Sequence, residues 1–280
     1  MQIYDHTAPS GMAGLLQRMA VCIEDVSTWM SSNRLCLNPS KTELVWLGSS
    51  RRLQNCATDT EMSVLGSLIR PVDSVSDLDV LIDNGLTLSD HANKVAALCY
   101  FHIRQLRIVR RTLTDEVAHS LVRAFIHNRI DYCNGILASS PKYLTEKLQS
   151  VLRVAARLVL RLPSRSPVST LMRDQLHWLC VESRVKFKLA LLAYKSVRGL
   201  APEYRSSYCV PVSRLPGRSH LRSADQWTMF VPRTKTVTIG AWGFYYSCPS
   251  IWNSLPASLR DFNLSLETFR RKLKLHLFIS

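Results

Sequence analysis

Apolar side chains at Leu15, Met19, Cys22, Val26 and Trp29, with Leu16, Ile23 and Met30 beside them, recur at intervals of three and four. That spacing predicts an amphipathic helix over 11–30. The turn residues Asn38-Pro39-Ser40 end this part of the chain, and the run 42–48 reads as a strand. Two further short strands are expected at 61–70 and 77–83, separated by Pro71. After Asn84-Gly85 the period changes, and three long helical stretches follow at 88–111, 114–134 and 141–161. Thr114 is placed to cap the second, and Ser140-Pro141 to cap the third with proline at the first helical position. Pro163-Ser164-Arg165-Ser166-Pro167 is the clearest linker. Beyond it the pattern gives helices at 182–197 and 265–278 and one strand at 227–231. The expected class is α+β, predominantly α-helical.

Charge changes this picture more than composition does. The 280 residues carry 36 Lys and Arg against 21 Asp and Glu, a net +15, and 46% are hydrophobic. The longest unbroken apolar run, 95–101, has seven residues, against about 20 for a membrane span. The first residues show neither a basic segment nor an apolar core of the secretory type. An intracellular protein of nucleus or cytoplasm is expected, with no membrane partner. Residues 1–80 hold six basic and nine acidic side chains, whereas 81–280 hold 30 basic and 12 acidic, net +18. Such asymmetry points to a polyanion partner for the second part, and nucleic acid is the commonest.

The basic residues are also ordered. Arg153, Arg157 and Arg161 recur every fourth residue, with Leu148, Val151, Leu152, Ala155, Leu158 and Val159 on the remaining faces. Arg104, Arg107 and Arg111 repeat the pattern, with Arg110 adjoining. A salt-laced helix surface would place carboxylates four residues away, and none occurs between Asp90 and Asp115. These seven arginines are the expected phosphate contacts.

Other candidate chemistry is weaker. Eight cysteines include no CxxC pair, so reduced, mostly buried thiols are expected. Cys99-x2-His102 and His177-x2-Cys180 have ligand spacing, but their apolar helical context favours packing over zinc, and no metal site is expected. Asp77 and Asp79, flanked by Asp83, alternate by two and would share one strand face. His177-Trp178 has no accompanying nucleophile. Trp242, Phe244, Tyr245, Tyr246 and Trp252 form an aromatic group that fits a core better than a base-stacking platform.

The segment Leu35-Cys36-Leu37-Asn38-Pro39-Ser40-Lys41-Thr42-Glu43 is similar to the pattern Leu-x-Leu-Asn-x-x-Lys-Thr-Glu of reverse transcriptases from non-LTR, LINE-type retrotransposons. Further words resembling that family occur in the expected order. They include Asp131-Tyr132-Cys133-Asn134, Leu148-Gln149-Ser150-Val151-Leu152, Leu176-His177-Trp178-Leu179 and Ile251-Trp252-Asn253-Ser254-Leu255-Pro256. The resemblance runs from end to end of the chain.

It implies a partial palm over 1–86, a helical thumb over 87–163 and a C-terminal extension over 164–280. In the family a Tyr-x-Asp-Asp motif holds the catalytic metals and is followed by Thr-Gln-Ile-Tyr; here Met1 stands at the threonine position. The chain is therefore expected to lack the catalytic aspartates and the fingers, as well as any endonuclease part. Mg2+ is implied only for the complete family enzyme, and no cofactor for this chain. Lys41 matches a lysine with a general-acid role, which has no active site to serve here. Leu78, Asp79 and Val80 resemble the primer-grip hairpin, with Asp79 where the family carries glycine. The resulting expectation is a non-catalytic fragment that binds an RNA or DNA primer–template. An incompletely read gene for an active polymerase and a helical protein-interaction module are the alternatives.

Overall fold

The computed structural model describes residues 2–54, 60–217, 227–234 and 243–279. The chain divides into two compact units, Met1–His91 and Ala92–Ser280. It is predominantly helical and α+β, with two antiparallel sheets of two strands each among the described residues.

In the first unit, α1 (Met12–Ser32) buries Leu15, Leu16 and Ile23. This is the stripe that its three-four spacing dictates. The helix packs on the hairpin of β1 (Met62–Val64) and β2 (Ser67–Ile69), and Leu16, Ile23, Leu44, Met62, Val64 and Ile69 close a small core. The 61–70 segment, expected as one strand, is thus two strands reversed at Leu65 and Gly66, both at positive φ (47° and 79°). Two central residues of that kind make the tight turn whose twist matches a hairpin. The expected strand at 42–48 does not form. Leu44 makes a lone parallel bridge to Pro71, which has no N–H to extend a ladder. Before it stands a 3₁₀ turn, Pro39–Lys41, followed by the short helix α2 (Ser50–Gln54).

A second hairpin joins β3 (Ser74–Asp77) to β4 (Val80–Asp83), with Asp77 opposite Val80. The expected strand 77–83 therefore contains a reversal at Leu78 and Asp79. Asp83 is buried, and its carboxylate accepts from the backbone N–H of Thr87 (2.8 Å) and of Leu88 (2.7 Å). This fixes the chain just ahead of α3 (Ser89–Val109).

The second unit is helical. Thr114 caps α4 (Asp115–Val122), its hydroxyl accepting from Val117 N–H. The 114–134 stretch then continues as a π segment, Arg123–His127, and ends in α5 (Asn128–Asp131). α6 (Lys142–Val159) begins one residue later than its sequence suggests, with Pro141 and not Ser140 at the cap. It buries nine residues, including Leu148, Val151, Leu152, Ala155 and Ala156, against α4 and α8 (Val181–Val197). Between α6 and α8 lies α7 (Ser169–Asp174), and α9 (Glu203–Ser206) follows α8. Last come α10 (Phe244–Ser254) and α11 (Leu266–Ile279), both packed on α8. Here Tyr194, Trp252, Phe269 and Leu273 centre a second core, with the Tyr194 and Phe269 rings stacked at 4.5 Å. The 227–231 strand reduces to one bridge between Pro211 and Met229.

Candidate nucleic-acid interface

α6 ends with its last carbonyls bonded back on themselves. The N–H of Leu162 donates to Arg157 O (2.9 Å) and that of Arg161 to Leu158 O, with Arg161 left-handed at φ 54°. This is a Schellman closure with arginine where glycine is usual. Arg161 therefore lies beyond the helix and not on the stripe of Arg153 and Arg157, a departure from the four-residue spacing. Its guanidinium donates to Leu113 O (3.1 Å) and Asp115 Oδ1 (3.2 Å).

Arg110 follows α3 and is buried. Its guanidinium donates to Leu158 O (2.9 Å), Val159 O (2.7 Å), Leu113 O (3.0 Å) and Asp115 Oδ1 (2.5 Å). The first two are C-terminal carbonyls of α6, where the helix dipole leaves a partial negative charge. Arg110 neutralises that charge and joins the ends of α3 and α6. It is a structural cation with little left to offer a ligand. The same guanidinium, followed by that of Arg161, holds the Asp115 carboxyl below its usual range.

Around this joint lies a cleft of about 490 Å3 lined by Arg107, Arg110, Arg111, Arg157 and Arg161. Val154, Leu158 and Leu162 supply apolar wall, and no carboxylate is among the lining residues. Five of the seven arginines marked by the sequence thus meet at one place. Their engagement differs. Arg107 and Arg111 are exposed, and their side chains have no hydrogen bond or ion pair among the described residues. Arg157 donates only Nε, to Ser166 O at 2.9 Å, leaving its two terminal nitrogens. These three present the uncommitted donors.

Arg104 is exposed on α3 but does not line the cleft. Arg153 faces a second cavity and pairs with Glu146 at 2.7 Å. Sequence reasoning missed Val154 and Leu162, although they stand four residues either side of Leu158 and continue its apolar row. It also missed the burial of Arg110. Asp115, the first acidic residue after a long basic stretch, was the available signal.

In the first unit, Lys41 is exposed at the end of its 3₁₀ turn. Leu78 and Asp79 form the hairpin tip at φ 45° and 65°, and Val80 opens β4. Asp77 and Asp79 do not share a strand face, because Asp79 belongs to the turn, and Asp83 is committed to Thr87 and Leu88. Among the described residues no group of three or more His, Cys, Asp or Glu is placed to hold a metal. Asp77, Asp79 and Asp83 thus present no common carboxylate face.

His177 is exposed, whereas Trp178 is buried and donates to His119 Nε2 at 2.9 Å. Trp178 also meets the ring of His127 edge-on at 4.3 Å. Burial pushes His127 down to about 3, helped by the neighbouring Arg184. The thiols are more exposed than expected: Cys22, Cys36, Cys133 and Cys180 face solvent, while Cys99, Cys209 and Cys248 are buried. The free Cys99 thiol is pushed up to about 11 by desolvation. Trp252 and Phe244 join the core of the second unit, and Trp242 lies outside the described residues. No helix among the described residues is long and apolar enough to cross a membrane.

Compared with known proteins, the chain matches no family model, no curated protein and no solved structure.

Proposed function

We propose that this chain binds nucleic acid through the arginine cleft, serving as the thumb-type portion of a LINE-type reverse transcriptase. The observation that carries the reading is the convergence of five arginines on one cleft without a lining carboxylate. Arg107, Arg111 and Arg157 are the phosphate contacts, because their guanidinium groups retain free donors. Arg110 and Arg161 hold the cleft's shape and add to its field. The sequence words around Lys41, Asp131 and Leu148 favour the reverse-transcriptase reading over an unrelated basic module.

The direct test is the triple variant Arg107→Ala, Arg111→Ala, Arg157→Ala, titrated with a labelled oligonucleotide at low salt. Affinity falls at least tenfold while the helical circular dichroism is kept. Undiminished affinity in the folded variant overturns the proposal.

A further inference from the structure

The cleft is not a uniformly charged surface. Its wall includes Leu158, which is buried, and Val154 and Leu162, which are half-buried. Phosphate contacts alone leave such a wall uncovered. A duplex covers it poorly, because its flat base faces are stacked inside and its base edges lie recessed in the grooves. The cleft's 490 Å3 is on the scale of small-ligand sites, which run from about 300 to 1,000 Å3. That is room for one or two nucleotide units and not for the width of a double helix.

An unpaired strand satisfies both halves of the site. Its bases are splayed outward and offer flat apolar faces, while its phosphates stay within reach of flanking cations. Resting on the nucleic-acid reading above, we infer that the cleft takes a single strand, with a base seated against Val154, Leu158 and Leu162 and the adjoining phosphates held by Arg107, Arg111 and Arg157. No aromatic ring lines the cleft. The base is held by apolar burial, and by the guanidinium planes of Arg107 and Arg111, which no ion pair fixes elsewhere among the described residues. The seat reads no base edge through a charged side chain, so binding is tolerant of sequence.

The test compares three labelled probes of equal length by fluorescence anisotropy with the whole chain. They are a single-stranded DNA, the same backbone made of abasic residues, and a blunt duplex. The single strand binds about fivefold tighter than the abasic backbone, the low end of what a base gains on an aromatic platform, because the seat here is aliphatic, and tighter than the duplex. In Val154→Ser and, separately, Leu162→Ser, this advantage shrinks below about twofold while abasic binding is kept. Leu162 lies outside α6, so that variant spares the helix even if Val154→Ser loosens it.

If single-stranded and abasic probes bind equally, and both weaken in Arg157→Ala, the base seat is wrong and phosphate binding stands. Duplex binding tighter than single-strand binding also overturns the seat. If no probe is weakened by Arg107→Ala or Arg157→Ala, the nucleic-acid reading itself fails.

Discussion

Met62–Val64 and Ser67–Ile69 form a hairpin of three-residue strands, whereas Lys142–Val159 buries nine side chains along a single helix. The unit around the hairpin carries six basic and 11 acidic residues up to His91; the remainder carries 30 and 10. The first unit thus combines short elements and a small core with net negative charge. The second has long elements, a large core and a strongly positive charge. A two-stranded hairpin is marginal without further packing, while an amphipathic helix set among neighbours is not. The larger core and the net positive charge therefore lie in the same half of the chain.

Hydrogen exchange gives the largest expected contrast. Amides of 75–82 open at least about 3 kcal/mol more readily than those of 148–156, a difference of two orders of magnitude in rate. Comparable protection in both would remove the contrast in stability.

Within the second unit, Arg110→Ala leaves the buried carbonyl groups of Leu158 and Val159 without their donor. It lowers stability by about 2 kcal/mol in urea unfolding. Arg107→Ala, at an exposed and unpaired position, changes stability by less than about 0.5 kcal/mol. Equal costs would erase the distinction between structural and ligand-facing arginines.

Acid narrows the gap between the units. His127 is held neutral to about pH 3 in the folded chain by burial, against about 6.5 when unfolded. The unfolded state then binds the extra proton between these values, so the contribution is complete above pH 6.5 and declines as pH falls toward 3. The slope is about 1.4 kcal/mol per pH unit, with His119 adding to it because burial lowers that ring too. Arg184, Arg123 and the Trp178 ring are the other groups facing His127. Urea midpoints measured from pH 7 to 5 check this, and His127→Gln flattens the slope.

The smallest effect belongs to the acidic tip. Asp79→Gly removes an exposed charge at a turn position that glycine accepts, and tightens primer–template binding relative to plain duplex on the order of twofold. Identical ratios for both proteins would take the hairpin away from the nucleic acid.

The sequence made the long helices legible because each carries several turns of a regular apolar stripe. α1, α3, α6, α8 and α11 lie within a few residues of their expected bounds. The β elements were not legible to the same degree. Three- and four-residue strands offer too few alternations to locate a reversal, and the positive φ of Leu65 and Leu78 falls on residues that do not advertise a turn. For the site, residue type and spacing marked the arginines, but not their division of labour. Arg110 and Arg111 are adjacent in the turn that follows α3, yet one is buried against the end of α6 and the other is exposed. Arg161 left the stripe because α6 closed at Val159, an outcome of backbone capping that a four-residue repeat does not encode.

The most direct measurement is the salt dependence of single-strand binding by the unaltered chain and by the Arg107→Ala, Arg111→Ala, Arg157→Ala variant. Each neutralised phosphate adds about 0.7 to the slope of log affinity against log salt for a single strand. Loss of three contacts therefore flattens the slope by about 2 in the folded variant. An unchanged slope would mean that these arginines touch no phosphate, and would contradict the assignment of the cleft as the nucleic-acid site.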